Sequence, residues 1–181
     1  MKKRGLLLLL TGPAGAGKST VAQAWCRRRV KAVHIQLDDM RLLVVSGYAN
    51  PQEQGQAQSE QYDLAAGACL LVARHYVEHG YDVVIDDVFP PQLFQRLWRP
   101  RLDGLRWRAV VLQPSLEETL RRGQVRSKRV KQSIVLDQHT AMGLWPQEFI
   151  IDTTNLSPEE AVDRIERELR LAEGDTSTLE D

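Results

Sequence analysis

The octapeptide Gly12-Pro13-Ala14-Gly15-Ala16-Gly17-Lys18-Ser19 constrains this chain more than any other feature. It follows an apolar run at residues 6–11 and leads, through Thr20, into Val21, Ala22 and Trp25 at helical spacing. A glycine-rich turn between a buried strand and a helix, ending in Lys-Ser, fits the pattern G-x-x-x-x-G-K-[ST]. Glycines let main-chain N–H groups turn inward around a phosphate without a Cβ clash. The loop then feeds a helix N-terminus, whose unpaired amides and dipole favour an anion. The spacing therefore predicts a binding site for ATP or GTP between Gly12 and Thr20. The backbone of Gly12, Pro13, Ala14, Gly15, Ala16 and Gly17 wraps the polyphosphate, Lys18 reaches its β and γ groups, and the Ser19 hydroxyl ligates Mg²⁺.

The rest of the sequence alternates strand-like and helix-like segments, as an α/β domain with a mostly parallel sheet does. Strands are expected at residues 6–11, 32–37, 82–85, 106–112 and 149–152. Helices are expected at 19–29, from Ser59 or Glu60 to about His79, from Pro91, from Leu116 behind the Ser115/Glu118 capping box, and from Pro158 to about Leu171 behind Ser157/Glu160. Residues 42–58 read as irregular and polar. Residues 1–172 form one domain, and 173–181 an acidic, disordered tail.

The segment Asp82-Val83-Val84-Ile85-Asp86-Asp87 is an apolar strand closing on carboxylates. Beside the first strand, Asp86 is placed to hold Mg²⁺ through water. Asp87 points to the opposite face of an extended chain and is expected to meet the acceptor. Asp38 and Asp39 lie where the second strand ends, and ligands in such sheets gather at the carboxyl ends of strands. Either carboxylate can serve as the base that takes a proton from an attacking hydroxyl. Arg41 shares a helical face with Asp38 and can hold the acceptor or its phosphate. Arg122, Arg126 and Arg129 form one helical stripe, read as part of a lid over about residues 118–135. Arg121 is read instead as a surface partner of the neighbouring glutamates. Residues 42–62 are expected to cap the acceptor, with Tyr48, Gln61 and Tyr62 as either contacts or ordinary surface and core residues.

Composition narrows the partners. Lys plus Arg and Asp plus Glu number 24 each among 181 residues, so no global charge steers the chain to nucleic acid or to a membrane. Cys26 and Cys69 sit among apolar residues and read as packing, not as a disulfide or metal site. The leucine run after Lys2, Lys3 and Arg4 is shorter than a secretory h-region, and no stretch is long enough to span a bilayer. A cytoplasmic location is expected.

GPAGAGKST after a short strand, a second strand ending in Asp38, VVIDD, LRR-x-x-x-R and the closing IDTTNLSPEEAVDRI together resemble the small P-loop kinases. The similarity is to gluconate kinase-like and chloramphenicol phosphotransferase-like proteins, and more distantly to shikimate kinase, zeta-toxin kinases and 5′-hydroxyl polynucleotide kinases. It implies a three-layer P-loop NTPase fold with a five-stranded parallel sheet of order 2-3-1-4-5 and an arginine-bearing lid. By position it implies Asp38 as the base, Asp86 as the magnesium carboxylate and Arg126 as the lid arginine. It also implies that the loop at residues 152–156, with Asn155, lines the nucleotide base, and that Arg122 covers its other side. The stretch Asp39-Met40-Arg41-Leu42 lacks the histidine-containing sequence of gluconate kinases.

The resulting expectation is an ATP-dependent phosphotransferase with a small hydroxylated acceptor, acting as a monomer or homodimer. The alternatives are a kinase for nucleosides or nucleic-acid 5′-hydroxyls, and a nucleotide-binding switch with slow hydrolysis.

Overall fold

A computed structural model describes residues 4–51, 53, 55–124 and 130–172. Five strands run β1 (Leu7–Thr11), β2 (Ala32–Gln36), β3 (Asp82–Asp86), β4 (Trp107–Leu112) and β5 (Ile150–Ile151). They form one parallel sheet of order β2-β3-β1-β4-β5, as the resemblance implied. The four leucines of β1 and its Thr11 are fully buried, which a central strand covered on both faces requires.

Alternation along β1 divides the interior into two layers. Leu8 and Leu10 pack with Val21, Ala22 and Trp25 of α1 (Lys18–Arg27) and with Val162 and Ile165 of α7 (Pro158–Ala172). Leu7 and Leu9 face Ala66, Cys69 and Ala73 of α3 (Gln56–Glu78), together with Phe89, Phe94, Trp98 and Trp145. Between β2 and α3 lies the short α2 (Leu37–Arg41). After β3, α4 (Pro91–Leu93) continues into a π-helical turn at Phe94–Trp98 and a 3-10 turn at Arg99–Arg101.

Both capping signals work. Ser157 Oγ accepts from Glu160 N at 3.2 Å while Glu160 Oε2 accepts from Ser157 N at 2.7 Å. At α5 (Leu116–Gln124) Ser115 Oγ accepts from Glu118 N, but the Ser115 amide donates to Thr154 Oγ1, so that box is half-closed.

Two expectations need correction. Helix α3 begins at Gln56, not at Ser59 or Glu60, because one more turn forms behind Gly55. A helix that the sequence reading lacks, α6 (Gln132–Met142), follows the basic segment. Only Val135 and Met142 of α6 are buried, too few to produce an apolar periodicity. The tail at 173–181 lies outside the described residues. Cys26 and Cys69 are both free thiols, and burial pushes them up to about 11 and about 12. Among the described residues, no helix is long and apolar enough to cross a membrane.

Candidate active site

The fold brings the ends of β1 and β3 side by side, with Leu10 in register with Asp86. From β1 the chain turns through the glycine loop into α1. Gly12 and Gly15 hold φ of +147° and +96°. A Cβ at Gly12 would meet the Leu112 carbonyl oxygen at 2.2 Å, and one at Gly15 the Thr119 oxygen at 2.6 Å. Glycine here thus permits both the turn and its close seating against β4 and α5. Helix α1 has no side-chain cap at Gly17, so its first amides point at the cavity without a side-chain acceptor.

Lys18 Nζ donates to Gly12 O at 2.9 Å and Pro13 O at 3.1 Å, closing the loop from within. The loop amide of Ala14 donates to Gln138 Oε1 of α6 at 2.9 Å. Ser19 Oγ donates to Asp86 Oδ2 at 2.6 Å. The other carboxylate oxygen, Asp86 Oδ1, lies 2.8 Å from His34 Nε2 of β2.

These groups open onto a cavity of about 740 Å³. Lys18, Ser19, Asp38, Asp39, Arg41, Asp86 and Asp87 all line it, as do Ala14, Gly15 and Gly17 of the loop. Asp38 and Arg41 stand one turn apart on α2, the shared face that their spacing implied. Asp39 Oδ2 accepts from Gln36 Nε2 at 3.3 Å. Arg41 is only 4% exposed, and its Nε and Nη2 are buried without a hydrogen-bond partner. Arg96, beyond β3, also lines the cavity.

Asp87 lines the same cavity, and its Oδ2 accepts from Tyr62 Oη at 2.6 Å. Tyr62 Oη in turn accepts from Trp98 Nε1 at 3.2 Å. Tyr62 is therefore a core residue that braces Asp87. Gln61 braces the cap, accepting from Ala49 N and donating to Gly47 O. Tyr48 is partly exposed and lines the cavity.

Burial raises the Asp87 carboxyl to about 6, against the lowering effects of the Tyr62 hydroxyl and the Val88 amide. A raised carboxyl favours the protonated folded form. Its contribution to stability is full below the ordinary value of 3.8 and is lost as pH rises through 6. A shift of this size corresponds to about 3 kcal/mol. Asp87→Asn keeps an oxygen for Tyr62 and removes the charge. It is expected to raise the melting temperature at pH 7.5 and leave it unchanged at pH 3.5, as thermal denaturation at the two pH values measures.

The remaining expected residues sit at the edges. Arg122 Nε donates to Glu118 Oε1 at 2.6 Å, and Nη2 to Thr153 O and Thr154 O. It thus joins α5 to the loop at residues 152–156, whose Asp152 Oδ1 holds the Thr154 amide at 2.8 Å. Arg121 pairs with Glu118 at 2.6 Å, the surface role expected of it. Pro13 and Ala16 are buried in the phosphate loop, while Thr20 and Asn155 are exposed; none of the four lines the cavity. Arg126, Lys128 and Arg129 lie outside the described residues. Of the continuous lid expected over 118–135, α5 and α6 form separate described parts.

The sequence reading missed His34 and Gln138. A histidine two residues before a strand's end and a glutamine on an unrecognised helix carry no motif.

Magnesium fits the donors present. Ser19 Oγ and Asp86 Oδ2 are hard oxygen donors side by side, next to the amides that would hold phosphate; the first would ligate the cation and the second would hold it through water. Among the described residues there is no cluster of three His, Cys, Asp or Glu to cage a metal.

Residues 7–145 match a family model described as an AAA domain. No curated protein sequence matches the chain. Among solved structures, the tunicamycin resistance protein of Deinococcus radiodurans is 19% identical, with a TM-score of 0.68 over 92% of this chain and 96% of that one. The APS kinase of Mycobacterium tuberculosis, in complex with AMPPNP and APS, is 19% identical, with a TM-score of 0.65 over 92% and 98%. The thymidylate kinase of Candida albicans is 16% identical, with a TM-score of 0.70 over 95% and 93%. At these identities the likeness is one of fold.

Proposed function

The chain belongs to the AAA-domain family that its residues 7–145 match, and on that premise we propose that it is a Mg²⁺·ATP-dependent phosphotransferase. It moves the γ-phosphoryl group onto a hydroxyl of a small acceptor that also carries an anionic group. The observation that carries this reading is one cavity holding two sets of groups. The phosphate loop, with Lys18, Ser19 and Asp86, lines it, and so do Asp38 and Arg41. A nucleotide switch needs the first set and has no use for the second.

The roles follow from chemistry. Main-chain amides of residues 12–20 and the Lys18 ammonium bind the polyphosphate. Ser19 and Asp86 hold Mg²⁺, which neutralises charge on the transferring group when bound. Asp38 accepts the proton of the attacking hydroxyl. Arg126, in the segment expected to close over the site, supplies positive charge to the equatorial oxygens. Arg122 and Asn155 flank the nucleotide base. Asp87 stands at the acceptor end of the cavity.

Arg41 supports the acceptor class. Burying the Nε and Nη2 of a guanidinium without hydrogen-bond partners is unfavourable, and an arriving carboxylate or phosphate would supply those partners with fork geometry. Transfer of labelled phosphate from ATP to a panel of hydroxylated acceptors, anionic and neutral, tests the reading. An oligonucleotide with a 5′-hydroxyl belongs in that panel.

The anionic members are expected to be phosphorylated. With the best of them, Arg41→Gln should lower kcat/KM by about 100-fold, chiefly through KM. The same substitution should raise the melting temperature, because it removes a buried charged group whose Nε and Nη2 lack hydrogen-bond partners. Transfer to neutral acceptors alone, with Arg41→Gln unimpaired, would reject the anionic class. No transfer to any acceptor beside intact hydrolysis would favour a switch.

A further inference from the structure

Both oxygens of the Asp86 carboxylate are engaged by side chains from other elements. Oδ2 accepts from Ser19 Oγ at the start of α1, and Oδ1 lies 2.8 Å from His34 Nε2 on the adjacent strand. A carboxylate can only accept, so His34 Nε2 carries the proton and donates. The pair is well enclosed, with side chains 12% and 4% exposed. Parallel pairing sets His34 opposite Val84 and Gln36 opposite Asp86. Alternation turns Val33 and Ile35 toward the α3 layer, and His34 toward the α1 layer where Ser19 sits.

We propose that His34 is a positioning residue for the magnesium site. It pins Oδ1, fixes the rotation of the carboxylate, and leaves Oδ2 as the oxygen that faces the cation beside Ser19. This rests on the reading of Asp86 as the magnesium carboxylate. Three facts make the assignment more than the satisfaction of a buried polar group. First, the terminal torsion of an aspartate is broad, so a carboxylate held at one oxygen alone can swing. Second, Mg²⁺ demands near-octahedral geometry at short distances and tolerates a misplaced ligand poorly. Third, the donor comes from the interior of a strand paired along its length with β3, so its position is fixed by the sheet. Partners of this kind, one bond removed from a metal, typically change affinity or activity by about 10- to 100-fold when lost.

Three variants of the full chain separate positioning from packing. His34→Met keeps volume and loses the donor, His34→Ala loses both, and His34→Gln keeps an amide N–H at similar reach. Mn²⁺ serves as the spectroscopic probe. Its binding is measured by electron paramagnetic resonance in the presence of a non-hydrolysable ATP analogue. Affinity for the analogue without metal, and the melting temperature, are measured alongside.

The expected result is a rise of about 10-fold or more in the Mn²⁺ dissociation constant for His34→Met and His34→Ala. Metal-free nucleotide affinity should hold, and His34→Gln should recover most of the loss. Wild-type Mn²⁺ affinity in His34→Met or His34→Ala would overturn the proposal. So would a Gln variant as impaired as the other two. A wild-type chain that binds the analogue yet takes up no Mn²⁺ would instead remove the underlying reading of Asp86.

Discussion

Asp38→Asn is expected to lower phosphoryl transfer by about 10³-fold while leaving nucleotide affinity unchanged. The amide has the shape of the carboxylate, so α2 and the cavity wall keep their form, but it cannot take a proton at neutral pH. Asp38 lines the cavity together with the phosphate loop, one turn of α2 from Arg41. The adjacent Asp39 lines it too, and its carboxylate accepts from Gln36 Nε2. Because the resemblance places the base at Asp38, Asp39→Asn is the control, expected to keep most activity. Transfer of labelled phosphate and calorimetry with a non-hydrolysable analogue measure the two effects separately. If Asp38→Asn retained transfer and Asp39→Asn lost it, the base would be Asp39.

Lys18→Met should damage both quantities. The ammonium donates to the Gly12 and Pro13 carbonyls, holding the loop in its open-mouthed curve. A polyphosphate offers it far better acceptors at the same place. Removing one preorganised donor from a transferring group lowers the rate by about 10²- to 10³-fold. Loss of the charge also weakens ground-state binding of a tetra-anion, so calorimetry should show reduced heat and affinity. Lys18→Arg is not a rescue, because the planar fork needs more room than a point charge between the Gly12 and Pro13 carbonyls. Wild-type transfer by Lys18→Met would remove the foundation of the proposed activity.

The legible parts of this molecule were those with strong local rules. An apolar strand, a glycine turn and a Lys-Ser helix start leave one arrangement, and β1, the loop and α1 follow it. The parallel order came from resemblance, since hydropathy alone does not rank strands within a sheet. Asp38 and Arg41 were legible as a helical pair because three-residue spacing has a geometric meaning. Helix α6 was not, because a helix with two buried residues has almost no amphipathic signature. Its Gln138, which holds a loop amide, was hidden with it. His34 was illegible for another reason. Its partner is 52 positions away, and only the sheet register joins them. Arg41 read as a residue that can hold the acceptor or its phosphate. That its Nε and Nη2 are buried without hydrogen-bond partners is a fact of packing that no spacing rule conveys.

The position of β1 has a consequence for how the protein is made. It is the first of the five strands to leave the ribosome, yet it is the middle of the sheet, flanked by β3 and β4. Its hydrogen-bonding neighbours begin only at Asp82 and Trp107. Five consecutive leucines must therefore wait without a strand partner until β3 is synthesised, and for their second partner until β4 follows. Such a stretch is an invitation to self-association, and late non-local pairing slows its protection. The nest for phosphate is seated against Leu112 and Thr119, so it cannot mature until synthesis has passed β4 and reached α5, and competence to bind nucleotide arrives with the sheet's centre.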